Sequence, residues 1–179
     1  MNDYFVNPPP SEKFRNKYRI SSARLKDYDY GQNGAYFVTI CTKNWKRFFG
    51  NIVDDRAVSS KIGEIAKECW QAIPDHFSHV ELGEYVIMPN HIHGIVFIVE
   101  TPKLGVSTTT DGWKSGNLGV VINQYKRMCT ILSRRTDIGF VWQSRFYDRI
   151  IRNEKELYRI SEYIVNNPIN WHNDDYFRE

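Results

Sequence analysis

Met88-Pro89-Asn90-His91-Ile92-His93-Gly94-Ile95-Val96-Phe97-Ile98-Val99 opens on a Pro-Asn turn signal and runs on as a nearly continuous apolar segment. Such a run reads as a buried strand. The stretch from His79 to Met88 reads as the strand before it, so the two form a hairpin. Side chains alternate along a strand. His91, His93, Ile95, Phe97 and Val99 therefore share one face, and Ile92, Val96 and Ile98 share the other. Apolar residues on both faces imply a central strand covered on both sides. Two imidazoles side by side on a rigid sheet can bind one divalent metal, and a metal there can polarise a phosphate.

Working outward, Gly31-Gln-Asn-Gly34 is a turn, and Ala35–Thr42 after it is rich in β-branched and aromatic residues, a first strand. Phe48 to Val53 reads as a second, short strand. Val58 to Ile73 has the spacing of an amphipathic helix, with Val58, Ile62, Ile65, Ala66, Cys69, Trp70 and Ile73 inward. Ser59 or Ser60 would cap it, and its role is packing. Residues 101–117 read as a loop. Leu118 to Arg135 is a second helix, with Leu118, Val121, Ile122, Tyr125, Cys129 and Leu132 inward. Phe140 to Ile151 is an extended segment and an expected strand. A last helix starts at Asn153, has Glu154 and Glu156 in its first turn and Leu157, Ile160 and Ile164 as its stripe, and ends at Pro168.

The 179 residues suit one domain with a sizeable core, and 41% hydrophobic residues exclude a disordered chain. Three scattered cysteines without CxxC spacing fit a reducing compartment rather than a disulfide framework. The polar start with Pro8-Pro9-Pro10 is no signal peptide, and no apolar run is long enough for a membrane span. The expected location is therefore the cytoplasm.

A net charge of +3 does not by itself argue for nucleic acid, but its distribution does. Residues 1–12 read as a loose arm. Lys13, Arg15, Lys17, Arg19, Arg24 and Lys26 follow with no acid among them and with Phe14 and Tyr18 interleaved. Cations contact phosphates and aromatics stack on bases, a pattern suited to single strands. A second acid-free stretch, 112–136, carries Lys114, Lys126, Arg127, Arg134 and Arg135. Lys126 and Arg127, with Arg145 in the extended segment, complete the candidate nucleic-acid contacts. The bland alternative is solvated basic surface.

A lone His-x-His on a strand is more often a satisfied structural pair than a metal site. A zinc site would want cysteines at matching spacing, and a histidine-triad hydrolase would want a third histidine where Ile95 stands. His76 and His79 have nothing in the sequence to bring them near. On the last helix Tyr163 and Asn167 are four residues apart and fall on one face. Asn167 offers an amide oxygen as a third metal ligand, and Tyr163 offers a phenol nucleophile. The competing reading is a core-edge tyrosine and a helix C-cap. Tyr147 has no candidate ligand at matching spacing, and Tyr158, more than one turn from Asn167, has Glu162 at its i+4 position, so Tyr163 alone pairs with a neutral oxygen ligand four residues on.

Met88–Gly94 resembles the histidine–hydrophobic–histidine (HUH) motif of single-strand DNA endonucleases. Glu162-Tyr163-Ile-Val-Asn-Asn167-Pro168 resembles the tyrosine helix of the REP-associated tyrosine transposases. Arg24-Leu-Lys-Asp-Tyr-Asp-Tyr30, the strand after it, and Trp142-Gln143 before Tyr147-Asp148 are similar to that family in the same order. The resemblance implies an α+β, ferredoxin-like antiparallel sheet flanked by helices, in one domain over 24–179 behind a basic arm, 1–23. It implies metal-dependent cleavage and strand transfer of single-stranded DNA beside a hairpin of a palindromic repeat. The link would be a 5′-phosphotyrosine at Tyr163. His91, His93 and Asn167 would hold Mg2+ or Mn2+, in a nucleoid-associated prokaryotic protein, monomer or homodimer. The alternative is a catalytically silent DNA-binding protein of the same fold.

Overall fold

The computed structural model describes residues 34–99 and 118–178, together with two short strands, β1 (Lys13–Phe14) and β2 (Lys17–Tyr18), which pair antiparallel. What was expected of the rest of 1–33, and of the 101–117 loop, lies outside the described residues.

The main sheet has four strands: β3 (Gly34–Cys41), β6 (Val80–Ile87), β7 (His91–Ile98) and β8 (Tyr147–Ile151). Their order is β6-β7-β3-β8, all antiparallel. Helix α1 (Lys61–Gln71) joins β3 to β6 and helix α3 (Leu118–Ser133) lies between β7 and β8. This is the ferredoxin-like arrangement, two strand–helix–strand units interleaved in one sheet. A last helix, α4 (Glu154–Val165), follows β8, and a short helix α2 (Ile73–His76) follows α1.

Strand alternation sorts the core into two layers. Tyr36, Val38 and Ile40 of β3 and Ile92, Val96 and Ile98 of β7 meet α1 and α3. Ile95 of β7, with Phe37 and Phe97, meets Leu157, Ile160 and Ile164 of α4. The histidines share the second face, so the helix carrying Tyr163 packs on the side to which both imidazoles point. Gly94 explains how closely α1 sits on the other side: a Cβ there would lie 2.3 Å from Cζ2 of Trp70.

Helix ends follow local chemistry. Ser60 Oγ accepts from the Gly63 amide at the start of α1, and Asn153 Oδ1 accepts from the Glu156 amide at the start of α4. Arg149 of β8 donates to Glu156 Oε1 at 2.5 Å, tying α4 to the sheet edge.

Three expectations need correcting. Val58 is not on a helix: β4 (Gly50–Val53) pairs with β5 (Arg56–Ser59), and Val58 is exposed on that hairpin. Its turn, Asp54-Asp55, has φ of 48° and 59°, the paired left-handed conformation of a tight hairpin, which aspartate tolerates without the usual glycine. The 140–151 segment is a strand only from Tyr147, because Arg145 has φ 66° and breaks the extension. Asn167 lies beyond the end of α4, whose C-cap is Asn166.

Candidate active site

Asn90 closes the β6–β7 turn, and its side chain decides the state of the first histidine. The amide nitrogen donates to the Tyr176 carbonyl at 2.8 Å and to the Trp45 carbonyl at 3.3 Å. Its Oδ1 is thereby left as an acceptor, 2.9 Å from His91 Nδ1. Nδ1 of His91 therefore carries the proton and Nε2 carries the bare lone pair. That Nε2 is buried and has no hydrogen-bond partner; Oδ1 of Asn167 is buried and equally unpartnered.

His93 has Nδ1 2.8 Å from Thr39 Oγ1, on the strand next door, and Nε2 3.2 Å from the Tyr163 hydroxyl. The two imidazole centroids are 4.4 Å apart. Burial pushes His91 down to about 3, with the Asn167 amide acting in the opposite direction. His93 is held well below its ordinary value, by burial first and then by His91. Both rings are thus neutral at physiological pH, the form that ligates metal.

Tyr163 and Asn167 both reach the histidines, Tyr163 from the last turns of α4 and Asn167 from the turn beyond it. Asp174 stands with them, a residue absent from the sequence expectations. Its Oδ2 accepts from Asn167 Nδ2 at 2.8 Å and from the Tyr163 hydroxyl at 3.4 Å. Donor atoms of His91, His93 and Asp174 lie within 4.8 Å of one another, so these three residues can hold a metal ion. The only hint in the sequence was a pair of acids, Asp174-Asp175, in a tail that otherwise reads as polar filler. Burial, and then Asp174, raise the Tyr163 phenol above its ordinary value.

The C-terminal turn also roofs the site. Tyr176 stacks 4.7 Å from His91 and Trp171 lies 6.0 Å from it, leaving neither histidine exposed. Elsewhere, His79 precedes β6 at the far end of the hairpin; Val80 pairs with Ile98, about 23 Å of strand away from His91. Tyr147 is on β8 opposite Thr39, and Tyr158 is two-thirds exposed on the outer side of α4. Arg127 and Arg145 are exposed. Lys126 differs: its ammonium donates to the carbonyls of Gln143 and Arg145, each at 2.8 Å, and partial burial lowers it to about 8. It pins the loop before β8. Lys13, Arg15, Lys17, Arg19, Arg24 and Lys26 have no described side chains.

No protein-family model matches the chain. A protein of Haemophilus influenzae described as uncharacterized is 39% identical over 165 residues, 87% of this chain and 92% of that protein. Among solved structures, a REP-associated tyrosine transposase bound to a REP hairpin is similar at a TM-score of 0.55. Identity there is 18%, covering 84% of this chain and 74% of that one, a likeness of fold.

Proposed function

Because this chain belongs to the same family as the Haemophilus influenzae protein and shares the fold of a REP-associated tyrosine transposase, we propose that it is a transposase-like enzyme acting on DNA. It is a metal-dependent single-strand DNA endonuclease and strand transferase that works beside hairpins. One observation carries the reading: a tyrosine hydroxyl stands 3.2 Å from one of two neutral, buried histidines that share a face with an orphaned amide oxygen and a carboxylate.

The donor set fits a divalent ion. Two imidazole nitrogens, the Asn167 oxygen and the Asp174 carboxylate combine nitrogen with hard oxygen, which suits Mn2+ and accommodates Mg2+ less well. An ion held there would supply positive charge to offset that of the scissile phosphate. This chain's residues do the rest. Asn90 and Thr39 fix the histidine rings. The Tyr163 oxygen attacks phosphorus in line, and the bond from phosphorus to the 3′ oxygen breaks. The phenol proton passes to water or hydroxide, and the departing 3′ oxygen takes up a proton to become a hydroxyl. The 5′-phosphotyrosine conserves the ester, so reversal joins strands. The roof over His91 must lift for a phosphate to enter. The basic arm, 1–23, and Arg127 and Arg145 supply phosphate contacts, and Lys126 supports them by holding the loop.

The test is incubation with a single-stranded hairpin oligonucleotide and Mn2+, followed by a denaturing gel. Wild type should give a covalent protein–DNA band. Tyr163→Phe should give none, with fold and hairpin affinity kept. A band of undiminished strength from Tyr163→Phe rejects the assignment.

A further inference from the structure

Trp142 is the wall between two clefts. One, of about 740 Å³, is bounded by Lys43, Asn44 and Trp45 on one side and Gln143 and Ser144 on the other. The second, of about 440 Å³, lies along α3 and bears Lys126, Arg127 and Arg134. The Trp142 ring is held from behind. Its Nε1 donates to the Lys126 carbonyl at 3.1 Å, and Phe140, Phe49 and Tyr125 pack at 4.8, 5.5 and 5.8 Å. The backbone around it is pinned as well, by Lys43 N to Val141 O and Gln143 N to Cys41 O, both 2.9 Å. Trp142 is half-buried, with the Lys126 ammonium 5.7 Å from its ring centroid, and it lines both clefts, so a rigid aromatic residue borders each of them.

Around it stand groups with hydrogen bonds to give. The Asn44 and Gln143 amides and the Ser144 hydroxyl have no side-chain hydrogen bond among the described residues. An amide offers donor and acceptor together, the pattern that matches the N6–N7 edge of adenine. Asn44 and Trp45 sit at φ 55° and 57°, a left-handed turn that non-glycine residues adopt uncommonly. The cleft also lies close to the candidate active site. Cys41 pairs with His91, and Asn44 is only three residues further, roughly 11 Å of chain at most.

We propose that this cleft reads an unpaired base, preferably adenine, of the strand that enters the active site. Trp142 is the stacking surface, Asn44 and Gln143 read the base edge, and Arg127 and Arg134 of α3 hold the neighbouring phosphates. The inference rests on the DNA reading above and deepens it by naming where sequence is recognised.

Fluorescence anisotropy with three hairpin oligonucleotides tests it: blunt, with four-nucleotide dA flanks, and with four-nucleotide dT flanks. Wild type should bind the dA-flanked hairpin about tenfold more tightly than the blunt one, with dT flanks between. Gln143→Ala and Asn44→Gly, the second chosen because glycine accepts the left-handed backbone, should each remove most of that gain and leave blunt-hairpin affinity unchanged. Melting temperatures matching wild type establish that both variants fold. Equal binding of all three hairpins by wild type overturns the reading site alone, as does a gain that survives in both variants. Absence of binding to any hairpin overturns the DNA reading and this inference together.

Discussion

His91 is neutral because its surroundings leave it no other state. Asn90 fixes the proton on Nδ1, and burial lowers the ring from 6.5 to about 3. The unfolded chain therefore binds protons below pH 6.5 that the folded chain refuses. Folding stability is fully present above 6.5 and is lost as pH falls toward 3. His93, lowered for the same first reason, adds to the loss. Ring NMR signals of both residues should keep neutral shifts from pH 7.5 down to 5 in metal-free protein; a midpoint near 6.5 in either would contradict their burial. Tyr163 behaves in the opposite sense. Its phenol is raised above the ordinary value near ~10, so the phenolate fraction is small at neutral pH and grows up to about tenfold per unit. The adduct-forming rate should climb between pH 7 and 9, and a flat profile across that range would show that loss of this proton does not limit the reaction.

At the scale of elements, the strand carrying both histidines is central because apolar residues cover both its faces. Its glycine is required by contact rather than by a turn. Gly94→Ala would drive a methyl group into Trp70 and should destabilise the protein by about 1–3 kcal/mol in urea unfolding. A loss within error would mean that α1 sits further from the sheet. Asn153→Ala should cost about 1 kcal/mol by the same measurement, through loss of the cap on the helix that carries Tyr163. The elements of the sheet and its helices were legible because period 2 and period 3.6 were cleanly written in them. Of the β4–β5 hairpin only the first strand was, because Asp54-Asp55 lacks the glycine that usually marks such a turn, and Val58 happened to fit the helical spacing of α1. Of the candidate site, His91, His93, Tyr163 and Asn167 could be picked out by spacing and by resemblance. Asp174 could not. It reaches the others only through the turns after Pro168, and no periodicity encodes that path.

For the whole molecule, opposite roles fall on opposite faces of one sheet. α1 and α3 build the larger core, while α4 and the C-terminal turns carry and cover the candidate chemistry. The cover has a consequence: Tyr176→Ala should open His91 and raise the adduct-forming rate several-fold at equal hairpin affinity, whereas a slower enzyme would mean that Tyr176 supports the site. Affinity for a single-stranded hairpin should fall steeply with salt. Removing residues 1–26 should flatten the salt slope by about 0.7 for each phosphate that the arm neutralises, and an unchanged slope would exclude the arm from binding. The most direct test of the proposed chemistry is to digest the Mn2+-dependent adduct with trypsin and locate the nucleotide by fragmentation mass spectrometry. The added 5′-phosphate should sit on Tyr163 within the peptide that follows Arg159; modification of Tyr147, Tyr158 or Tyr176 instead, or no modified peptide at all, would contradict it.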